Sequence, residues 1–404
     1  MSHIQNFWIR KNLINSEISP LCCGCSVCAN KCPVNAISMK YDSEGFLYPW
    51  VDEKKCIDCG VCLQTCPIIN QSDYVAPYIR TYAGYSLDKD ILMNCTSGGF
   101  VTTLSLMIIE RGGIVAGVRY SSDFVKSYYC IARTKEEVLS LSGSKYVQSE
   151  KMDVYIEVEK ELKRNTMVLF VGCPCEIQAI TLYLGTIYST FLSCELVCMG
   201  VSSYKIAKDY KKYVEKRNKA KLIRINARSK MKGWFVPHLE EEFDNGQIRC
   251  NTLYGTFLGY GMQVYNRPSC FQCKFRGMNG TGDIRVGDFW GIKETDPYWN
   301  PAGVSCIFVR TQKGLDVVNT LKNYGFALYE VDYETATLSN ISSHSNKAHK
   351  YVELRKKFAF IYEKKGLIAA CRATGTISFW IKHCVPDCWH VGMKKLYHKF
   401  VDKR

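Results

Sequence analysis

The chain has 404 residues, of which 47% are hydrophobic and 13% aromatic, so it can bury a conventional core in more than one domain. Its net charge of +15 would suit nucleic acid or an anionic membrane, but residues 346–404 alone carry 14 Lys or Arg against four Asp or Glu. The excess is therefore local, and nucleic-acid binding is not predicted.

The start of the chain lacks the pattern of a secretory signal, and no apolar run approaches the length of a transmembrane helix. These features predict a cytoplasmic protein without a transmembrane segment. Disulfides among the 22 cysteines are accordingly not expected.

Two copies of one cysteine pattern lie near the N-terminus. Each reads C-x2-C-x2-C-x3-C-P, the spacing of bacterial two-cluster ferredoxins, in which the fourth cysteine of each run ligates the other cluster. We therefore predict two [4Fe-4S] clusters. The first is assigned to Cys22, Cys25, Cys28 and Cys66, and the second to Cys56, Cys59, Cys62 and Cys32.

Zinc is the main alternative for these cysteines, because paired C-x2-C motifs also build zinc sites. Zinc needs four ligands rather than eight, and a proline follows the last cysteine of each run, so the iron-sulfur interpretation is favoured. Cys23 falls out of register and is interpreted as a free thiol. Exposed clusters suffer in oxygen, which predicts an anaerobic or low-oxygen setting.

A polar stretch at 70–78 leads into a second region in which β-rich runs alternate with helical segments. Together, these β-rich runs and helical segments are 81–86, 99–111, 114–119, 168–171, 191–197, 222–227, 306–310 and 326–331, with a further helix near 314–323. Asn245-Gly246 between 239–243 and 247–250 predicts a β-hairpin. The predicted fold class is α+β, with a ferredoxin-like domain (1–75), a mixed α/β domain (76–345) and a basic, helical C-terminal tail (346–404).

Two small turns in the second region are weak candidates for cofactor binding. Thr96-Ser97-Gly98-Gly99 opens a helical pattern, and amides of a helix N-terminus beside two glycines can bind a phosphate, although ordinary caps look the same. Ser97 is the predicted N-cap. Gly143-Ser144-Lys145-Tyr146 adds a cation and an aromatic ring, but it lacks P-loop spacing and by itself indicates a solvated turn.

Four further cysteines could converge at one edge of the predicted sheet. Cys175 and Cys198 follow successive strands, and ligands gather at the carboxyl ends of strands in α/β sheets. A later C-x2-C supplies two more thiols. We predict a third [4Fe-4S] cluster on Cys175, Cys198, Cys270 and Cys273, with Cys173 and Cys194 as competing ligands. Two buried cysteines plus a zinc hairpin remain the alternative.

Six motifs in this order resemble those of the flavin-dependent β-subunits of coenzyme F420 hydrogenases and dehydrogenases, in the version preceded by a two-cluster ferredoxin domain. They are Ser97-Gly98-Gly99, Gly143-Ser144-Lys145-Tyr146, Gly172-x-Pro174-Cys175, Cys198-Met199-Gly200-Val201, Cys270-x2-Cys273 and the segment 283–291. The resemblance covers most of residues 20–312. It implies FAD or a related flavin, one additional [4Fe-4S] cluster beside it, and Cys175 rather than Cys173 as a ligand.

The resemblance also implies where the flavin binds. The implied cofactor residues are Thr96, Ser97, Gly98, Gly99, Ser144, Lys145, Tyr146, Gly172, Gly287 and Asp288. Residues 97–99 with Ser144 and Lys145 would bind the phosphates and polar chain, and Phe289-Trp290 would lie near the cofactor. Lys145 could instead stabilise negative charge on the reduced ring. No general acid or base stands out.

The predicted function is an iron-sulfur flavoprotein oxidoreductase that passes electrons between clusters and a flavin, which exchanges a hydride or electron pair with a small substrate or carrier. Its partner would be a redox protein or a soluble hydride carrier, and an oligomer is left open. A non-catalytic electron-relay subunit and a zinc-stabilised scaffold are the alternatives. No motif recognises F420 itself.

The C-terminal region, 346–404, departs from the resemblance. Its cysteines, Cys371, Cys384 and Cys388, are interpreted as ordinary thiols rather than metal ligands. A helical tail with a solvated basic face is slightly favoured over a segment that docks an acidic partner or an anionic membrane surface.

Overall fold

The computed structural model describes residues 21–70, 77–277, 279–338 and 349–384. The predicted domain boundaries at 75/76 and 345/346 lie outside these ranges, as does Cys388. None of the helices in the described ranges is long and apolar enough to cross a membrane.

The N-terminal region consists of two short helices and one hairpin. Helix α1 (Val27–Asn30) and helix α2 (Val61–Gln64) each begin after a residue with positive φ inside a cysteine loop. Between them, β1 (Ile37–Tyr41) pairs antiparallel with β2 (Leu47–Val51). The two helices contact each other, so the two cysteine runs lie side by side.

The rest of the described chain alternates strands and helices. The strands are β3 (Arg80–Ser86), β4 (Ile114–Tyr120), β5 (Ser127–Ala132), β6 (Ser149–Glu150), β7 (Val168–Gly172), β8 (Phe191–Leu196), β9 (Leu222–Ser229), β10 (His238–Phe243), β11 (Ile248–Thr252), β12 (Ile284–Asp288), β13 (Ser305–Val309) and β14 (Phe326–Glu330). The helices are α3 (Lys89–Asn94), α4 (Phe100–Glu110), α5 (Lys135–Leu141), α6 (Val154–Lys163), α7 (Pro174–Leu184), α8 (Tyr204–Asn218), α9 (Phe257–Val264), α10 (Gln312–Thr320), α11 (Tyr333–Leu338), α12 (His349–Thr374) and α13 (Ile377–Cys384).

Nine of the described strands form one mixed sheet in the order β14-β3-β13-β12-β8-β7-β4-β5-β6. The adjacent strands β12, β8, β7 and β4 run parallel to one another. Their carboxyl ends therefore meet at one edge of the sheet, which is where the chain leads into Cys173 after β7, Cys198 after β8 and Asp288 at the end of β12. The mixed α/β architecture is thus confirmed.

Helices cover both faces of this sheet. In β7, Leu169 and Val171 face a core shared with α4, whereas Val168 and Phe170 face a core shared with α6 and α7. An uninterrupted apolar run is expected for a parallel strand that is buried on both faces. The sheet is consequently a rigid base for the loops at its carboxyl edge.

A second, antiparallel sheet has the order β11-β10-β9, and its tight turn contains Gly246 at φ 80°. One hydrophobic core joins this sheet to the N-terminal region and to the C-terminal helices, since Phe46, Tyr48, Leu239, Phe358 and Leu367 all belong to it. The three parts therefore pack together. Cys371 of α12 is buried in this core, and its thiol donates to the carbonyl of Phe257 at 3.7 Å.

Candidate functional site

Four cysteines from the two N-terminal runs form one group, here called the inner site, in which Cys25 is buried and the others are partly exposed: Cys22, Cys25, Cys28 and Cys66. Cys28 lies near Cys22 and Cys66, and Cys25 lies near Cys28 and Cys66. Burial raises the pKa of Cys66 to about 12, so this thiol keeps its proton at neutral pH until a metal replaces it. The hydroxyl of Tyr155 donates to the carbonyl of Cys25 at 2.8 Å and fastens the inner site to α6.

The other four cysteines line one cavity of about 110 Å³, here called the outer site: Cys32, Cys56, Cys59 and Cys62. Cys59 is exposed, whereas burial raises the pKa of Cys62 to about 11. The sulfur of Cys32 accepts the amide of Ala36 at 3.2 Å. The structure therefore places the last cysteine of the first run with the first three of the second run, as crossed ligation requires.

Cysteines that follow the parallel strands meet the later C-x2-C loop at the carboxyl edge of the sheet. The thiol of Cys198 contacts that of Cys173, and this hydrogen bond lowers the pKa of Cys198 to about 7. Cys273 lies near Cys270 and Cys198, and burial raises its pKa to about 12. Gly200 (φ 119°) packs so closely that a Cβ there would lie 3.2 Å from the Cβ of Cys270.

The two remaining candidate ligands of the third cluster, Cys194 and Cys175, lie in different surroundings. Cys194 lies within β8 and is buried among apolar side chains of the sheet core, away from this group. Cys175 contacts Cys23, which lies next to the inner site. Cys23, expected to be a free loop thiol, thus joins the inner site to the turn between β7 and α7.

A buried polar network holds that turn in place. The carboxylate of Glu176 accepts from the amide of Cys173 and the hydroxyl of Tyr129, each at 2.8 Å, and from Ser149 at 3.2 Å. It also pairs with Lys151 at 2.6 Å. Burial alone would raise the pKa of Glu176, but the Lys151 ammonium and these donors bring it below its usual value.

The turn 96–99 leads into helix α4, but the residue that caps the helix is not the predicted one. Gly99 (φ 84°) is the N-cap residue and offers no side chain, so the first-turn amides have no side-chain cap. Ser97 instead donates to the carbonyl of Val304 at 2.8 Å, and Gly98 donates to the hydroxyl of Ser305 at 3.0 Å. The expectation that Ser97 caps the helix was wrong, because its hydroxyl bonds the residue that precedes β13.

The loop 143–146 approaches this helix N-terminus. The hydroxyls of Thr96 and Ser144 are 3.0 Å apart. The ammonium of Lys145 donates to the carbonyls of Leu141, Ser142 and Gly143 at 2.5–3.0 Å, and burial lowers its pKa to about 7. An ammonium has three hydrogens, so all of them are used at the end of α5.

The end of β12 carries the remaining polar groups. Asp288 accepts two hydrogen bonds from the buried guanidinium of Arg228, at 2.8 and 2.9 Å, and one from the indole of Trp234 at 2.9 Å. Arg228 also donates to the hydroxyl of Tyr146 at 3.4 Å. The rings of Trp234 and Trp290 are stacked with centroids 5.3 Å apart. Segments 96–99, 144–146 and 288–290 thus surround one region of the sheet edge.

Two predicted glycines are required by packing within the protein. A Cβ on Gly172 would lie 2.4 Å from the hydroxyl of Tyr129, and one on Gly287 would lie 2.8 Å from a methyl group of Val197. Contacts under 3.0 Å force a neighbour to move. Their small size therefore has a local explanation, independent of any cofactor.

Comparison with known protein families identifies the family of this chain. The model of the coenzyme F420 hydrogenase/dehydrogenase beta subunit N-terminal part matches residues 81–155, and that of its C-terminal part matches residues 165–331. A 4Fe-4S dicluster domain matches residues 21–68. The chain belongs to the coenzyme F420 hydrogenase/dehydrogenase beta-subunit family.

Individual relatives are distant. An uncharacterized protein of Methanocaldococcus jannaschii is 23% identical over 379 residues, which is 83% of this chain and 93% of that protein. The coenzyme F420 hydrogenase subunit beta of Methanococcus voltae is 25% identical over 259 residues, which is 61% of this chain and 82% of that protein. A solved chain of the F420-reducing [NiFe] hydrogenase complex from Methanosarcina barkeri is 18% identical, with a TM-score of 0.47, covering 72% of this chain and 96% of that chain.

This beta-subunit family member, with its 4Fe-4S dicluster domain, is an iron-sulfur protein of an oxidoreductase family with a role in electron transfer. Five residues of the site were not predicted from the sequence, namely Arg228, Lys230, Trp234, Arg267 and Glu176. Lys230 is buried and donates to carbonyls of Leu92 and Ser97, which links β9 to the 96–99 turn. No local motif marks the first four, because each acts on a segment that is distant in sequence, whereas Glu176 also accepts the amide of Cys173 in the capping box at the start of α7.

Proposed function

We propose that this protein is an iron-sulfur flavoprotein oxidoreductase. Electrons would pass between the outer site, the inner site, a third cluster at the sheet edge and a flavin beside it. The contact between Cys23 and Cys175 carries this proposal, because it joins the inner site to the edge that also bears Cys198 and Asp288. Electron transfer between cofactors needs such closely spaced groups.

The residues present fit iron-sulfur clusters at the two N-terminal sites. Each site combines three thiols of one run with the fourth of the other, and the thiols of the inner site are buried enough to need a metal before they ionise. In the third cluster, the proposed ligands are Cys175, Cys198, Cys270 and Cys273. Cys173 remains the competing fourth ligand because it contacts Cys198.

The sheet edge also fits the polar part of a flavin nucleotide. The uncapped amides at the start of α4 can bind an anionic phosphate, with the hydroxyls of Thr96 and Ser144 beside them. Tyr146 and Trp290 supply aromatic surface. When bound, a flavin accepts a hydride as an electron pair and passes electrons singly to iron-sulfur centres.

The remaining implied cofactor residues have supporting roles in this proposal. Lys145 fastens the 143–146 loop to the end of α5, which keeps Ser144 and Tyr146 in position. Asp288 holds Arg228 beside Tyr146. The edge also contains Gly98 and Gly99, where a side chain would crowd neighbouring atoms, while Gly172 and Gly287 are explained by packing within the protein. Ser97 anchors the 96–99 turn to the residue that precedes β13.

A second candidate is a non-catalytic electron-relay subunit. One relative is named as the beta subunit of a coenzyme F420 hydrogenase, and one similar structure is a chain of an F420-reducing hydrogenase complex. By analogy, a partner subunit would perform the chemistry. In either case we infer a cytoplasmic protein that works without oxygen.

Anaerobic purification followed by iron, sulfide and flavin analysis tests the proposal. We expect about twelve iron atoms and about one flavin per chain. A chain with clusters but without flavin would contradict the proposed oxidoreductase and would leave the electron-relay subunit as the remaining candidate. Zinc in place of iron would contradict both candidates. An acceptor screen then separates the two candidates, since turnover by the isolated chain supports the enzyme and activity only with an added partner supports the relay.

A further inference from the structure

Arg267 is a fully buried arginine that lies between the inner site and the C-x2-C loop. Its Nε donates to the carbonyl of Cys22 at 2.7 Å, and Cys270 lies three residues further along the chain. Its side chain has no solvent exposure. The guanidinium also lies 4.0 Å from the ring centre of Tyr48, which supports the cation through its π face.

Within the described residues, no carboxylate forms an ion pair with this guanidinium. Asp42 accepts the amide of Phe46, and Glu44 pairs with Arg355. Two buried nitrogen atoms next to the inner site have no hydrogen-bond acceptor, Nη2 of Arg267 and Nε2 of Gln148. A buried charge without a partner is costly, so its retention requires compensation by something anionic.

The loop of the inner site is shaped to approach these two side chains. Gly24 has φ 68°, and a Cβ there would lie 2.1 Å from Nε2 of Gln148 and 2.9 Å from Nη1 of Arg267. A glycine between Cys22 and Cys25 therefore lets the cysteine loop lie directly on Arg267 and Gln148. The guanidinium of Arg267 and Nε2 of Gln148 thus lie against the cysteine loop of the inner site.

We propose that Arg267 is a positioning and electrostatic residue that raises the reduction potential of the cluster in the inner site. This inference rests on the proposed clusters. A cluster ligated by four thiolates is anionic, and one-electron reduction adds a further negative charge without a proton. A buried cation stabilises the reduced form more than the oxidised form, which shifts the potential upward.

The test is a redox titration of the full chain with dithionite, monitored by electron paramagnetic resonance. In Arg267→Gln, we expect the inner cluster to be harder to reduce by at least tenfold in its equilibrium constant, which is about 59 mV for a one-electron couple. The outer cluster is expected to keep its potential and serves as an internal reference. Arg267→Lys keeps the charge and should restore most of the shift.

A second variant leaves Arg267 in place. Gln148→Glu can still accept from the amide of Leu47 and from Arg267, which now lie 2.9 and 3.3 Å from Oε1, but it neutralises the guanidinium. The same downward shift is expected, even if Arg267→Gln fails to load its clusters. The matched control is the double variant Glu44→Gln with Arg355→Gln. It weakens a neighbouring buried contact to the carbonyl of Asn266 without changing net charge, so the reduction potential of the inner cluster should stay the same.

The outcomes separate this inference from the proposed function. A native chain without clusters would overturn both. Loaded clusters with unchanged potentials in Arg267→Gln and Gln148→Glu would overturn the role of Arg267 alone. An equal shift in Arg267→Lys and Arg267→Gln would also overturn it, because the hydrogen bond and not the charge would then be responsible.

Discussion

Two buried arginines at the site differ in their partners. Arg228 has a carboxylate partner in Asp288, whereas Arg267 has aromatic and backbone contacts. Sequence reasoning identified Asp288 through a motif but missed both arginines. Arg228 lies on β9 and Asp288 ends β12, so 60 residues separate the partners and only the folded sheets bring them together.

The cysteines were easier to predict, because ligand spacing is a local property of the chain. The structure brings each four-cysteine group of the N-terminal region together, although ligation itself stays a prediction. The choice between Cys173 and Cys175 could not be predicted from spacing. It depends on rotamers within one turn and on the contact of Cys175 with Cys23.

Serine substitutions distinguish these two thiols. Cys173 is the N-cap of α7, and serine is a better cap, so Cys173→Ser should keep the turn and the iron content. Cys175 lies in the first turn of α7, where its contact with Cys23 and its burial raise the pKa of its thiol. Cys175→Ser should lower iron by about four atoms per chain. Iron analysis after anaerobic purification measures both, and the reverse pattern would assign the ligand to Cys173.

At the scale of elements, apolar patterning predicted most strands of the large sheet to within two residues. The run at β7 is an example, and the hairpin of β10 and β11 in the small sheet was predicted as well. Strand β6 has only two residues and pairs with β5, so its existence depends on the sheet rather than on its own sequence. The strand order was also not predictable, because it is set by packing between distant segments.

The buried pair of Lys151 and Glu176 should be essential for the turn before α7. Lys151→Met would leave Glu176 charged and unpaired, because both side chains are less than 10% exposed. We expect a loss of about 3–5 kcal/mol in the free energy of unfolding, measured by denaturant titration. The more exposed pair of Lys126 and Glu150 is the control, and Lys126→Met should cost less than about 1 kcal/mol.

Gly366 interrupts helix α12 with φ 78° and ψ 175°, a conformation that is nearly restricted to glycine. The break allows Phe358 before it and Leu367 after it to enter the same core. Gly366→Ala should destabilise the protein by about 1–3 kcal/mol through backbone strain, because the space around this position is open. The neighbouring exposed Lys365→Ala should change thermal stability little; equal effects would contradict the strain argument.

At the scale of the whole molecule, the two N-terminal sites differ in their access to solvent. The outer site contains the exposed Cys59, whereas the inner site contains the buried Cys25, which Tyr155 of the large domain contacts. This difference predicts which site exchanges electrons with an external carrier. It could not be predicted from the sequence, since the two cysteine runs have identical spacing.

Iron removal should therefore occur in two phases. A chelator with a mild oxidant is expected to remove about four iron atoms quickly from the outer site and the remaining atoms slowly. The time course of iron release measures this. Cys59→Ala should lack the fast phase. A single phase in the native chain would contradict the difference in access.

The shared core of the N-terminal region, the small sheet and the C-terminal helices constrains how the protein matures. Phe46 and Tyr48 pack into that core, and the same docking encloses the inner site. A cluster of this size cannot enter a closed cysteine loop that lies on Arg267. We therefore expect the inner cluster to be inserted before the N-terminal region docks, whereas the outer cluster can be installed or replaced in the folded protein.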